Sequence, residues 1–122
     1  MLDHVKIPVK DFDQSRKFYE EVLGSLGAQV VMEFPGLVLL GTQDGMVALH
    51  QSDQVMPMHI AFKADRDGVQ KFYDTALKAG ATDNGAPGVR SEIHPNYYAA
   101  FVHDPNGHNI EAVCHQPGTQ VT

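Results

Sequence analysis

From Leu2 to Val9 apolar and polar positions alternate, the two-residue period of a half-buried strand. From Ser15 to Leu26 the period changes. Phe18, Val22, Leu23 and Leu26 recur at steps of three and four, which predicts a helix with one apolar face. Asp11 or Asp13 supplies its N-cap, and Gly27 closes it. Short apolar runs follow at Ala28 to Phe34, Leu37 to Leu40 and Met46 to His50, separated by the turn signals Pro35-Gly36 and Asp44-Gly45. The first half therefore predicts a strand, a helix and three strands, ended by a polar linker at Ser52 to Pro57.

The second half predicts the same order. His59 to Ala64 reads as a strand, and Arg66 to Ala79 as a helix with Val69, Phe72, Tyr73 and Leu77 on one side and Gly80 as its stop. A weaker strand near Thr82 and Val89 passes through a Gly- and Pro-containing loop at Gly85 to Gly88. Tyr97 to His103 and His108 to His115 form a hairpin across Asp104-Pro105-Asn106-Gly107. His59 follows His4 by 55 residues, and Phe72-Tyr73 follows Phe18-Tyr19 by 54, the near-constant offset of a duplicated unit. The expectation is one α+β domain over residues 1–122: two tandem βαβββ modules, about 1–51 and 58–116, whose sheets curl into an open half-barrel with the helices outside. An approximate twofold relating the modules is expected to bring His4 and His59 together.

Strand parity then sorts the polar residues. If His4 points away from the helix layer, so do Lys6 and Pro8, while Val5, Ile7 and Val9 pack beneath the helix. His59 shares its face with Ala61 and Lys63. In the last strand Glu111 sits between apolar neighbours, where an ionised carboxylate is costly unless it meets water or a cation. Two histidines and a carboxylate on one concave face have the composition of a facial metal triad with positions left open for water or substrate. Each residue alone has a plainer reading, as a hydrogen-bonded strand histidine or a solvated glutamate; their repeat-related positions favour the triad.

Composition narrows the partners. A formal charge of -6 without a Lys/Arg cluster argues against nucleic acid or an anionic membrane surface. The single cysteine, Cys114, excludes an intrachain disulfide and a Cys-cluster zinc site, and reads as a small buried hydrophobe. No apolar run approaches a membrane span and no secretory signal is present, so a cytoplasmic setting is the expectation. From about Pro117 the apolar pattern stops, and a loose tail is expected.

Leu2-Asp3-His4-Val5, Met58-His59-Ile60-Ala61-Phe62 and the ending Asp104-Pro105-Asn106-Gly107-His108-Asn109-Ile110-Glu111 resemble the vicinal oxygen chelate superfamily. That superfamily includes glyoxalase I, bleomycin resistance proteins, fosfomycin resistance proteins and extradiol dioxygenases. The resemblance runs over about Met1 to Gln116. It implies metal ligands at His4, His59 and Glu111, a divalent ion (iron, manganese, zinc, nickel or cobalt), a small oxygenated substrate and a homodimer. Ala48 stands where glyoxalase I has a glutamate ligand, with His50 two residues on as a partial substitute, so the resemblance points away from glyoxalase I activity. Lys6 stands where the fosfomycin enzymes have a drug-contacting threonine.

Lys6, on the His4 face, is the candidate base or substrate anchor. Tyr97 and Tyr98 are consecutive, so one faces the cavity; parity counted back from Asp104 selects Tyr97. His103 and His108 are expected to be exposed or supporting residues, and His115 to lie on the Glu111 face at its far end. The reading from another class is a metal-free protein that sequesters a ligand between its modules, as bleomycin resistance proteins do.

Overall fold

A computed structural model of the chain describes residues 1–118; part of the expected tail, 119–122, lies outside the described residues. The first module runs β1 (His4–Val9), α1 (Phe12–Gly24), β2 (Gln29–Phe34), β3 (Leu37–Thr42) and β4 (Gly45–Gln51). The second runs β5 (His59–Lys63), α2 (Arg66–Lys78), β6 (Thr82–Asp83), β7 (Gly88–Val89), β8 (Tyr98–His103) and β9 (Asn109–Cys114). Helix α1 begins before Ser15 because Asp11, not Asp13, is its cap, accepting from Gln14 N at 3.1 Å. The apolar period does not mark that first turn because Phe12 is its one apolar residue, followed by the polar Asp13 and Gln14.

The duplication extends to the helix ends. Gly27 (φ +91°) and Gly80 (φ +101°) reverse the chain, and each is followed by an alanine whose N–H returns to the helix: Ala28 to Leu23 O at 3.0 Å, Ala81 to Ala76 O at 2.9 Å. Glycine is required there because a side chain strains positive φ.

Each module makes a mixed sheet. The first has the order β1-β4-β3-β2; the second has β5-β9-β8-β6, with β7 also paired to β8. Among the described residues, only β1/β4 and β5/β9 are parallel. Ile7, Val9, Val38, Leu40, Val47 and Leu49 are buried beneath Phe18, Val22 and Leu23 of α1. Ala100, Val102, Ile110 and Ala112 are buried with Val69, Phe72 and Ala76 of α2, and the two halves form one core. Each large apolar side chain so buried contributes about 1.5–3 kcal/mol. That outweighs the exposed bridges from Arg16 to Glu20 and Glu33, at about 0.2–1 kcal/mol each.

The Asp104-Pro105-Asn106-Gly107-His108 turn joins the modules. Asp104 accepts from Tyr19 OH on α1, and its Oδ1 accepts from the N–H groups of Asn106 and His108, both at 2.8 Å. Asn106 Oδ1 accepts from Lys10 N at 2.9 Å, and its Nδ2 donates to Ser15 Oγ at 3.0 Å. His108, expected to be exposed or a supporting residue, is the second: it is fully buried. Its Nδ1 accepts from Met58 N at 3.1 Å, so the neutral ring carries its proton on Nε2 and donates to Pro8 O at 2.8 Å.

His108 thus stitches the end of β1 to the start of β5. At the other end, Leu2–Val5 and Ile60–Lys63 line one cleft of about 620 Å³. The two strands therefore run antiparallel across the joint. No helix of the described residues is long and apolar enough to cross a membrane.

Candidate metal centre

Register places the candidates. His4 pairs with Met46 and Lys6 with Ala48, while His59 pairs with Asn109 and Ala61 with Glu111. Ala48 therefore occupies in the first module the place that Glu111 holds in the second. His50 lies in the row of Pro8 and Leu37, partly buried.

His59 and Glu111 are brought together. Glu111 is only 2% exposed, and its Oε1 lies 2.8 Å from His59 Nε2. The other imidazole nitrogen of His59, Nδ1, lies 3.0 Å from Asn109 O. A carbonyl only accepts, so Nδ1 carries a proton and Nε2 of the neutral ring presents a lone pair to the carboxylate. Two lone pairs at that distance repel unless a proton or a cation lies between them. The donor set fits half of a divalent-ion site, with the imidazole orientation fixed by a backbone carbonyl.

Tyr97 also converges here. Its hydroxyl donates to Glu111 Oε2 at 2.5 Å, leaving Oε1 to face His59. Desolvation, then the hydrogen bond to Glu111 and the carboxylate charge, push the Tyr97 phenol up to about 12. Tyr98 points to the opposite face, where Arg66 lies over its ring at 4.5 Å. Phe101 stacks beside His59, with ring centroids 6.2 Å apart, and completes the cover over Glu111.

Because the folded value lies above the ordinary value near 10, the stability tied to the neutral phenol is present below pH 10 and lost as pH rises through about 12. In metal-free protein, spectrophotometric titration should show a tyrosine ionising near 12 that disappears in Tyr97→Phe. An unchanged titration curve in that variant would contradict the assignment.

His4 does not join them within one chain. Its side chain is 52% exposed and its Nδ1 lies 2.7 Å from Asp3 Oδ1. Among the described residues, no three His, Cys, Asp or Glu side chains lie close enough to hold a metal ion. The expectation that the internal twofold unites the two histidines is corrected by the antiparallel run of β1 and β5. The histidines open their strands at opposite ends of the joint, separated by about four residues, or roughly 13 Å, of strand. His4 accordingly lines the cleft beside Lys63, whereas His59 and Glu111 do not line it.

Lys6 is exposed beside buried Ala48. His103 is partly exposed, and His115 is exposed just beyond β9. His94, which no periodicity or motif singles out, lies 2.8 Å from His115 and contacts Tyr97.

Comparison with known proteins follows the same lines. Residues 1–112 match the family model of the Glyoxalase/Bleomycin resistance protein/Dioxygenase superfamily. The fold is similar to a glyoxalase/bleomycin resistance protein from Albidiferax ferrireducens, with 25% identity, TM-score 0.80, and 94% and 98% of the two chains covered. It is also similar to a lactoylglutathione lyase from Agrobacterium tumefaciens (20% identity, TM-score 0.71, 93% and 92% covered). A third relative in fold is the fosfomycin resistance protein FosX from Mesorhizobium loti (22% identity, TM-score 0.72, 98% and 92% covered). No curated protein sequence matches the chain significantly. The duplicated βαβββ modules, the joint built on the Asp-Pro-Asn-Gly turn and the near full-length match place the chain in one family: it belongs to the Glyoxalase/Bleomycin resistance protein/Dioxygenase superfamily.

Proposed function

We propose that the chain is a metal-dependent enzyme of the glyoxalase and dioxygenase type, acting on a small oxygenated molecule at a site where His4 of a second copy joins His59 and Glu111. The observation that carries this reading is the orientation of His59, whose backbone-bonded Nδ1 leaves Nε2 as a lone pair 2.8 Å from Glu111 Oε1. Support for the second copy comes from the repeat, since His4 occupies the position of His59. Support also comes from Asp3, which engages His4 Nδ1 and leaves Nε2 free. Strand β2 is exposed along its whole length and carries Val30, Val31, Met32 and Phe34, an apolar edge of the kind a partner covers. A homodimer follows.

A divalent ion held there, iron, manganese, zinc, nickel or cobalt, would act as a Lewis acid toward two neighbouring oxygens of a substrate. Glu111 supplies the balancing charge, and Tyr97 fixes its rotation by binding Oε2. Lys6 arrives on the same strand face as His4. The small Ala48 beside it leaves room for its ammonium to anchor an anionic group or to exchange a proton. The rival reading is a metal-free binding protein of the bleomycin-resistance kind, working in the same groove.

A mixing experiment tests both halves. His4→Ala and His59→Ala chains should each fail to bind a stoichiometric divalent ion. Mixed and allowed to exchange subunits, they should regain metal, because a mixed dimer holds one intact site. Metal analysis of the mixture decides: no recovery despite proven exchange would defeat the shared site. Wild-type protein that binds no ion on titration would leave the rival.

A further inference from the structure

We infer that His94 and His115 form a latch that holds the Tyr97 phenol on Glu111, making both histidines positioning residues for the site proposed above, on which reading their functional role rests. Tyr97 is not in the sheet; it precedes β8 at the end of a loop from Arg90 to Tyr97. That loop is closed at its base by Arg90 N donating to Tyr97 O at 2.7 Å and turns inside through Ile93 N to Arg90 O at 3.0 Å. Ile93 near its tip is exposed. A phenol on such a segment needs a fixed support to keep one hydroxyl position.

The hydrogen bonds supply that support and set its direction. Asn96 N–H donates to His94 Nδ1 at 3.1 Å, so the proton of the neutral His94 ring lies on Nε2. That Nε2–H lies 2.8 Å from His115 Nδ1, which must accept. The proton of His115 is then on its own Nε2. A backbone amide thus fixes the tautomer of both rings in series, and neither can turn over without losing a bond.

The two imidazoles lie edge to edge and nearly coplanar, as their in-plane hydrogen bond requires, with centroids 5.1 Å apart and planes 26° apart. The Tyr97 ring stands edge-on to both, 5.3 Å from His94 at 80° and 5.2 Å from His115 at 84°. From that wedge its hydroxyl reaches Glu111 Oε2 at 2.5 Å. The same tautomers exclude the pair as a metal site of its own, since His94 Nε2 carries hydrogen and has no lone pair to give.

Fluorine NMR of protein labelled with meta-fluorotyrosine reads the latch without activity and without metal. The chain has four tyrosines, and the Tyr97 resonance is assigned by its loss in Tyr97→Phe. In His115→Ala that resonance should move toward the position of a solvent-exposed fluorotyrosine. In His115→Asn, whose Oδ1 replaces Nδ1 as acceptor, it should stay near the wild-type position. An unmoved resonance in His115→Ala overturns the latch, and so does equal displacement in both variants, which would make the effect one of packing alone.

Metal titration of the same proteins separates the two ideas. The His115→Ala variant should lose affinity by roughly threefold to tenfold, less than the effect of losing a direct outer partner of a ligand, and His115→Asn should recover it. If wild-type protein binds no metal, the site reading fails while the fluorine spectra still decide whether the latch exists.

Discussion

Alanine at His59 is expected to lower divalent-metal affinity by more than about 100-fold, beyond what loss of an outer-sphere partner produces, and to leave the protein folded. The two effects separate because of where the side chain sits. It is 49% exposed, so its removal opens no core cavity, and the β5 ladder with β9 is made by the backbone. What disappears is the nitrogen facing Glu111. Glu111→Gln removes the charge from the same pair while keeping its shape, and should abolish stoichiometric metal in parallel. Elemental analysis after dialysis, calorimetric titration and far-ultraviolet circular dichroism together make the test. Wild-type affinity in a folded His59→Ala protein would remove this residue from the ligand set.

Asp104→Ala is expected to destabilise the fold by about 3–5 kcal/mol, because it strands several buried donors at once. The carboxylate is 5% exposed and accepts from Tyr19 OH, Asn106 N, Asn106 Nδ2 and His108 N. Burial, with the Asp104 charge and hydrogen bond, raises the Tyr19 phenol well above its ordinary value, so the pair is a neutral donor to an acceptor. Losing it also frees the turn that carries His108, and with it the joint to Pro8 and Met58. For a chain of this size the melting temperature should fall by roughly 12–20 °C. Tyr19→Phe, which removes one of the donors, should cost about 1–2 kcal/mol. A loss below about 1 kcal/mol for Asp104→Ala in urea or thermal unfolding would show that the turn does not hold the modules together.

Much of this architecture is written in the order of residues. The two-residue and three-to-four-residue periods mark every long element, and the offset between His4-Val5 and His59-Ile60 marks the duplication. Glu111 stood out because it interrupts an apolar strand, and parity placed Ala61, its partner across β5 and β9, on the His59 face. What parity does not carry is direction across a joint. His4 and His59 share a face in the repeat, yet β1 and β5 run antiparallel, so equal positions in the two modules end far apart in one chain. Nor does sequence decide whether His108 is exposed or supporting. Its burial arises from Pro8 and Met58, residues distant in sequence, and flanking a turn says nothing of that. His94 lies outside any strand or helix, where neither period applies.

Cys114 sits at 2% exposure at the end of β9, opposite Tyr98 of β8. It is the chain's one thiol. A reagent that modifies only accessible sulfur therefore meets nothing in the closed molecule, and its rate of reaction becomes a clock for the opening of the core beneath β9, the strand that carries Glu111.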